Sequence, residues 1–239
     1  MTSSQDTIAN SARLRANLRL CTGPLETVFE RLWAREDLAV VFPSFLVLLH
    51  QIMRASVPLM ECALRRCEEL QEDDPLARAL RPYYRRHIEE ERDHDLWTLE
   101  DLAASGFDSD TVLSQVPSPH VAALSGAQYY WVQHHHPAML MGHIAVLESY
   151  PPGQARVDKI REATGLPDAA FRTLRMHGEF DLVHRSEIDD VFDALPLKRP
   201  HFGMIGLSMF HAATSIAASV ETLGPIARTD GGSPDRAGL

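Results

Sequence analysis

Apolar residues recur along this chain at intervals of three and four, and no stretch alternates convincingly between apolar and polar, so helices are expected from end to end. A short amphipathic helix is expected over 25 to about 34, after Pro24. A long one over 45 to about 71 is opened by Pro43-Ser44 and stopped by Glu72-Asp73-Asp74-Pro75, with Pro58 expected to kink it. The next opens at Pro75 or Leu76 and runs through the charged stretch 83–101 to near Gly106. Another begins at Pro119, breaks at His134-His135-His136-Pro137, resumes over 138–148 and ends at Pro151-Pro152-Gly153. A short helix then reaches Thr164-Gly165, where Gly165 has the place of a C-cap. A long helix over 168–195 is stopped by Pro196, and the last, 200–223, is apolar on most faces and so expected to be buried. Residues 1–12 and 229–239 read as loose ends, which leaves 13–228 as one helical domain.

With 239 residues and 45% hydrophobic content, the chain can bury a substantial core. A net charge of −10, from 33 acidic and 23 basic residues, argues against a nucleic-acid-binding surface. Cys21, Cys62 and Cys67 are odd in number and form no C-x-x-C pair, so disulfides are not expected and a reducing cytoplasm is the default. The start has neither a basic n-region nor an apolar h-region, so no signal peptide is expected. The longest apolar run, 38–49, falls short of a bilayer span, and no membrane partner is expected.

The densest chemistry lies in 176–188. On a helix, His177, Asp181 and His184 stand at i, i+4 and i+7, so all three project from one face. Two imidazoles and a carboxylate on one stripe offer a transition-metal ion neutral nitrogen donors and a charge-balancing oxygen. A second element is Glu91-x-x-His94, the arrangement that carboxylate-bridged two-iron bundles use; alone, it reads more readily as a solvated charged face. Glu148, closing the apolar segment 139–148, is the third. Six such ligands exceed what one catalytic zinc takes and suit two bridged iron ions.

These three segments, in this order, resemble the haem-oxygenase-like di-iron oxidases and oxygenases, the iron-containing redox enzymes. The resemblance covers roughly 40–220 and implies an all-α, haem-oxygenase-like seven-helix bundle. It also implies two Fe(II) ions held by Glu91, His94, Glu148, His177, Asp181 and His184, and O2 as co-substrate. Some members place the first carboxylate seven residues before the histidine; here that position is His87, so Glu91, or failing it Glu90, takes the role. The implied reaction is C–H abstraction with C–C cleavage, or N-oxygenation, of a small amino-acid, amine or fatty-acid-like substrate in natural-product biosynthesis. An amino acid or amine is the first choice.

On the long second helix His50, Arg54 and Glu61 share a stripe. Glu61 is a candidate extra ligand or substrate contact, and Arg54 a candidate clamp for a substrate carboxylate; an Arg54–Glu61 ion pair is the plainer account. Asp95, Glu187 and Tyr150 are expected to orient the ligand histidines. His134-His135-His136 reads as a loop, and Tyr129, Tyr130 and Trp131 as packing. The rivals are a metal-dependent phosphohydrolase built on the His94-Asp95 doublet and a metal-free helical binding protein of the same fold. A bundle of this size also suits a homodimer.

Overall fold

A computed structural model describes residues 8–149 and 152–226, with the backbone alone for 180–185. Its described residues form ten α-helices and no strand. They are α1 Asn10–Trp33, α2 Leu38–Leu70, α3 Pro75–Glu90, α4 His94–Ala104, α5 Ser109–Leu113, α6 Pro119–His134, α7 Leu140–Leu147, α8 Gln154–Thr164, α9 Arg172–Ala194 and α10 Arg199–Glu221. Joining α3 with α4 and α6 with α7 across their breaks, and leaving aside the short α5, gives seven helical rods.

α2 is the central rod. It packs on α3, α4 and α6, while α1 lies along α10, and α10 in turn packs on α6 and α7. The central position explains why α2 continues through Pro43 and Pro58: Val41, Phe42, Leu46, Leu59, Ala63 and Cys67 are buried on successive turns. That apolar burial, about 1.5–3 kcal/mol per large side chain, offsets the hydrogen bonds the prolines remove. α2 and α10 are apolar and long enough to cross a membrane by length and composition; 67% of that α2 window and 50% of the α10 window are buried inside the bundle. Packing in the core accounts for their composition.

Four boundaries differ from the sequence expectation. α1 starts at Asn10 and runs through Pro24, because Leu14, Leu18, Leu25, Val28 and Leu32 form one continuous stripe against α10. α2 starts at Leu38, before Pro43. The expected single helix from 75 to 106 is two, broken at 91–93, where Asp93 adopts φ 64°. α5 was not anticipated. Gly165 caps α8 with φ 65°, as expected. The expected loose tail 229–239 and residues 1–7 lie outside the described residues.

Candidate metal centre

Two carboxylates of the site stand at helix C-termini. Glu91 is the C-cap of α3 and Glu148 the C-cap of α7, their amides bonded back to His87 O (2.9 Å) and Ile144 O (3.0 Å). Both are largely shielded from solvent, with side-chain exposures of 14% and 9%. An anion at the negative end of a helix dipole and out of water is doubly unfavourable without a positive partner. Imidazoles supply partners. His94 Nδ1 lies 3.2 Å from Glu91 Oε2, and His87 Nε2 lies 2.6 Å from Glu148 Oε1.

His177 enters from α9. Its Nδ1 donates to Thr173 O at 2.9 Å, which directs Nε2 away from its own helix. Thr173 is held in turn: its amide donates to Asp101 Oδ2 at 2.9 Å, so a buried α4 carboxylate anchors the N-terminal turn of α9. The two histidine rings meet edge to face at 5.3 Å, and Trp97 stacks on His94 at 4.0 Å while meeting His177 at 5.9 Å. Trp97 thus wedges α4 against α9.

Two groups of metal-compatible donors result, Glu91 with His94 and His177, and His87 with Glu91 and Glu148. Within each group the donor atoms lie within 4.8 Å of one another, and Glu91 belongs to both. Among the described residues Glu148 Oε2 is buried and makes no hydrogen bond, so this carboxylate has coordinating capacity in reserve. Mixed imidazole and carboxylate donors, desolvated and sharing one carboxylate, fit a pair of iron ions.

Electrostatics agree. Burial opposes charge on His87, yet its contacts with Glu148, Glu91 and Glu90 push it up to about 9. Burial works to raise Glu91, but His94, His87 and His177 outweigh it and hold the carboxyl below its ordinary range. Asp101 goes up to about 6 because burial outweighs its bonds to Thr173.

The site borders a cavity of about 480 Å³, within the size range of small-molecule sites. His87, Glu91, Glu148 and His177 line it with polar groups. Leu48, Ile52, Leu140, Ile144, Ile216 and Val220 give most of it an apolar wall, and Glu26, Glu30 and Arg156 are exposed among its lining residues. His143 also lines it, buried, with Nδ1 making no hydrogen bond among the described residues; burial, and then His211, push it down to about 4.

Of the six expected ligands, Glu91, His94, Glu148 and His177 converge. α9 is continuous through 181 and 184, but the side chains of Asp181 and His184 lie outside the described residues, as does Tyr150. Glu90 is not the alternative to Glu91; it hydrogen-bonds His87 Nδ1 at 3.2 Å. Glu61 is exposed and lies outside both donor groups. Arg54 does not line the cavity; the arginine that does is Arg156. His50 is buried between α2 and α4, its Nδ1 3.1 Å from Asp95 O and 3.2 Å from Thr98 Oγ1, a joint between helices, and it is not among the cavity's lining residues. Asp95 belongs to neither donor group, so a phosphohydrolase site lacks its aspartate. Glu187 faces Arg86 at 3.4 Å. His136 Nε2 lies 2.9 Å from Asp74 and its Nδ1 accepts from the Ala138 amide, a structural loop as expected.

Sequence reasoning left His87 out of the ligand set, and gave Trp97, Tyr83, Asp101 and Thr173 no role. A signal for His87 existed: His87-x-x-x-Glu91-x-x-His94 has the same spacing as His177-x-x-x-Asp181-x-x-His184.

The sequence profile of a family described as iron-containing redox enzymes matches residues 68–205, more than half of the chain. No curated protein matches. Solved structures share the fold. A domain of unknown function with a haem-oxygenase-like fold from Shewanella denitrificans OS217 is 18% identical, covers 89% of this chain and 87% of its own, and has a TM-score of 0.65. A TenA homologue from Pseudomonas syringae pv. tomato str. DC3000 is 13% identical, covers 89% of this chain and 92% of its own, and has a TM-score of 0.67.

Proposed function

This chain belongs to the family of iron-containing redox enzymes, and from that premise we propose that it is a non-haem, two-iron, O2-dependent oxidoreductase acting on a small, largely aliphatic molecule. The observation that carries the reading is a pair of donor groups sharing Glu91 beside a cavity walled mostly by apolar side chains. Glu91, His94 and His177 would hold one ion, and Glu91 and Glu148 would contribute to the second. Asp181 and His184 are the remaining ligands proposed from the sequence.

Two ferrous ions held there would supply the electrons that activate O2 for hydrogen abstraction from, or oxygen transfer to, the substrate. The chain's own contribution is positioning and exclusion of water. Thr173 O fixes the His177 ring by accepting its Nδ1–H, and Asp101 holds Thr173. Trp97 packs on both histidines. The apolar wall favours an alkyl chain over a small polar amino acid, which shifts the substrate reading toward the fatty-acid-like class. Arg156 is the cavity residue suited to an anionic head group. Three unpaired cysteines support a cytoplasmic setting.

Anaerobic reconstitution with Fe(II), followed by O2 exposure with medium-chain acids, amines and amino acids, tests the reading. Substrate-dependent O2 uptake that is abolished in His177→Ala is the expected result. O2 uptake indifferent to every alkyl substrate, or unaffected by His177→Ala, would remove it.

A further inference from the structure

Of the donor group His87, Glu91 and Glu148, only His87 lies outside the six-residue ligand set, yet its wiring is that of a coordinating histidine. Metal-bound imidazoles typically donate their far N–H to a carboxylate or carbonyl, which fixes the tautomer and aims the other nitrogen at the ion. His177 shows this pattern with Thr173 O. His87 shows it too: Nδ1 faces Glu90 Oε2 at 3.2 Å, and Nε2 points the opposite way, into the cluster with Glu148 and Glu91. Tyr83 stacks on the ring at 5.2 Å and fixes its plane, and the side chain is only 4% exposed.

We propose that His87 is a metal ligand, binding through Nε2, so that one iron is held by His87, Glu91 and Glu148 while Glu91 bridges to a second held by His94 and His177. The proposal rests on the two-ion reading above. A cation would displace the proton shared by Nε2 and Glu148 Oε1, and Glu148 Oε2 gives it a further oxygen. The spacing of 87-91-94 matches that of 177-181-184, and each segment carries two imidazoles and one carboxylate.

A ligand role and a purely hydrogen-bonding role make opposite demands on two substitutions. His87→Gln keeps an N–H donor for Glu148 but lacks an imidazole nitrogen, whereas His87→Glu loses the donor and supplies a coordinating oxygen. Both variants and the wild type are first compared by circular dichroism and thermal melting, so that only folded protein is titrated. Anaerobic titration with Mn(II), read by bound metal per chain and by the electron paramagnetic resonance of coupled against isolated Mn(II), then decides. The expected result is two ions and a coupled signal in wild type and His87→Glu, and one ion with an isolated signal in His87→Gln. Two ions bound at wild-type affinity by His87→Gln would overturn the assignment of His87 while leaving the two-ion reading intact. A wild type that binds one ion or none would instead sink the two-ion reading, and this proposal with it.

Discussion

Glu91 Oε2 lies 3.2 Å from His94 Nδ1 although the two residues sit on different helices, Glu91 capping the end of α3 and His94 opening α4. The Glu-x-x-His pair therefore straddles a break in the helix, whose geometry aims the two side chains. That break is formed by Asp93 at φ 64°, a conformation that Gly, Asn and Asp tolerate and β-branched residues resist.

Asp93→Gly should accordingly leave stability within about 1 kcal/mol of wild type, whereas Asp93→Val should lose about 1–3 kcal/mol from backbone strain. The strained variant should also bind iron more weakly, since relief of the strain reshapes the 91–93 turn and re-aims Glu91 and His94 relative to His177 and Glu148. Urea denaturation with a chelator-competition titration of each variant measures both effects.

Trp97 contacts both His94 and His177, at 4.0 and 5.9 Å between rings. Trp97→Ala should weaken iron binding by roughly ten- to a hundredfold, the usual effect of removing a residue that orients metal ligands. Trp97→Phe should recover much of the loss. Equilibrium competition against a coloured Fe(II) chelator reads the change directly.

His143 sets an acid limit on stability. The unfolded chain takes up its proton near 6.5, but the folded chain, where burial pushes the group down to about 4, does not, so stability is lost as pH falls through that interval. The linkage is worth roughly 3 kcal/mol at most. His143→Leu removes the term together with a buried nitrogen that makes no hydrogen bond among the described residues, and should be more stable than wild type by a margin that widens from pH 7 to pH 4. Denaturant midpoints at those two values test it.

Gly142 lies where α7 crosses α10, and a Cβ there would stand 2.2 Å from Ile205 O and 2.9 Å from the Met209 amide nitrogen. These are backbone atoms and cannot rotate aside. Gly142→Ala should force α7 and α10 apart at a cost of about 1–3 kcal/mol or more, and so disturb Glu148 at the end of α7. A lowered melting temperature and a loss of bound metal are the expected joint outcome.

How far the sequence carried the account depended on whether a feature was local. α9 was legible because its histidines repeat at helical spacing within one unbroken element. The break after α3 was hidden, since Glu89-Glu90-Glu91-Arg92-Asp93 contains neither Gly nor Pro, and only the surrounding packing selects a left-handed Asp93. Pro24 misled in the other direction: the apolar stripe from Leu14 to Leu32 was readable, but tertiary contact with α10 is what carries the helix through the proline. Glu61 and Glu148 look alike in sequence, each a carboxylate among apolar neighbours, and only the bundle exposes one and buries the other. His87 is not an obvious ligand in the sequence because its contact with Glu148 spans two helices remote in sequence.

The central claim is that Glu91 is shared between two metal ions. Mössbauer spectroscopy of protein loaded anaerobically with 57Fe(II), compared with Glu91→Gln at matched loading, tests it most directly. Two equivalents of iron per chain with spin coupling in the wild type, and loss of that coupling in the variant, is the predicted result. A single uncoupled iron in the wild type, or a coupled pair that survives Glu91→Gln unchanged, would contradict it.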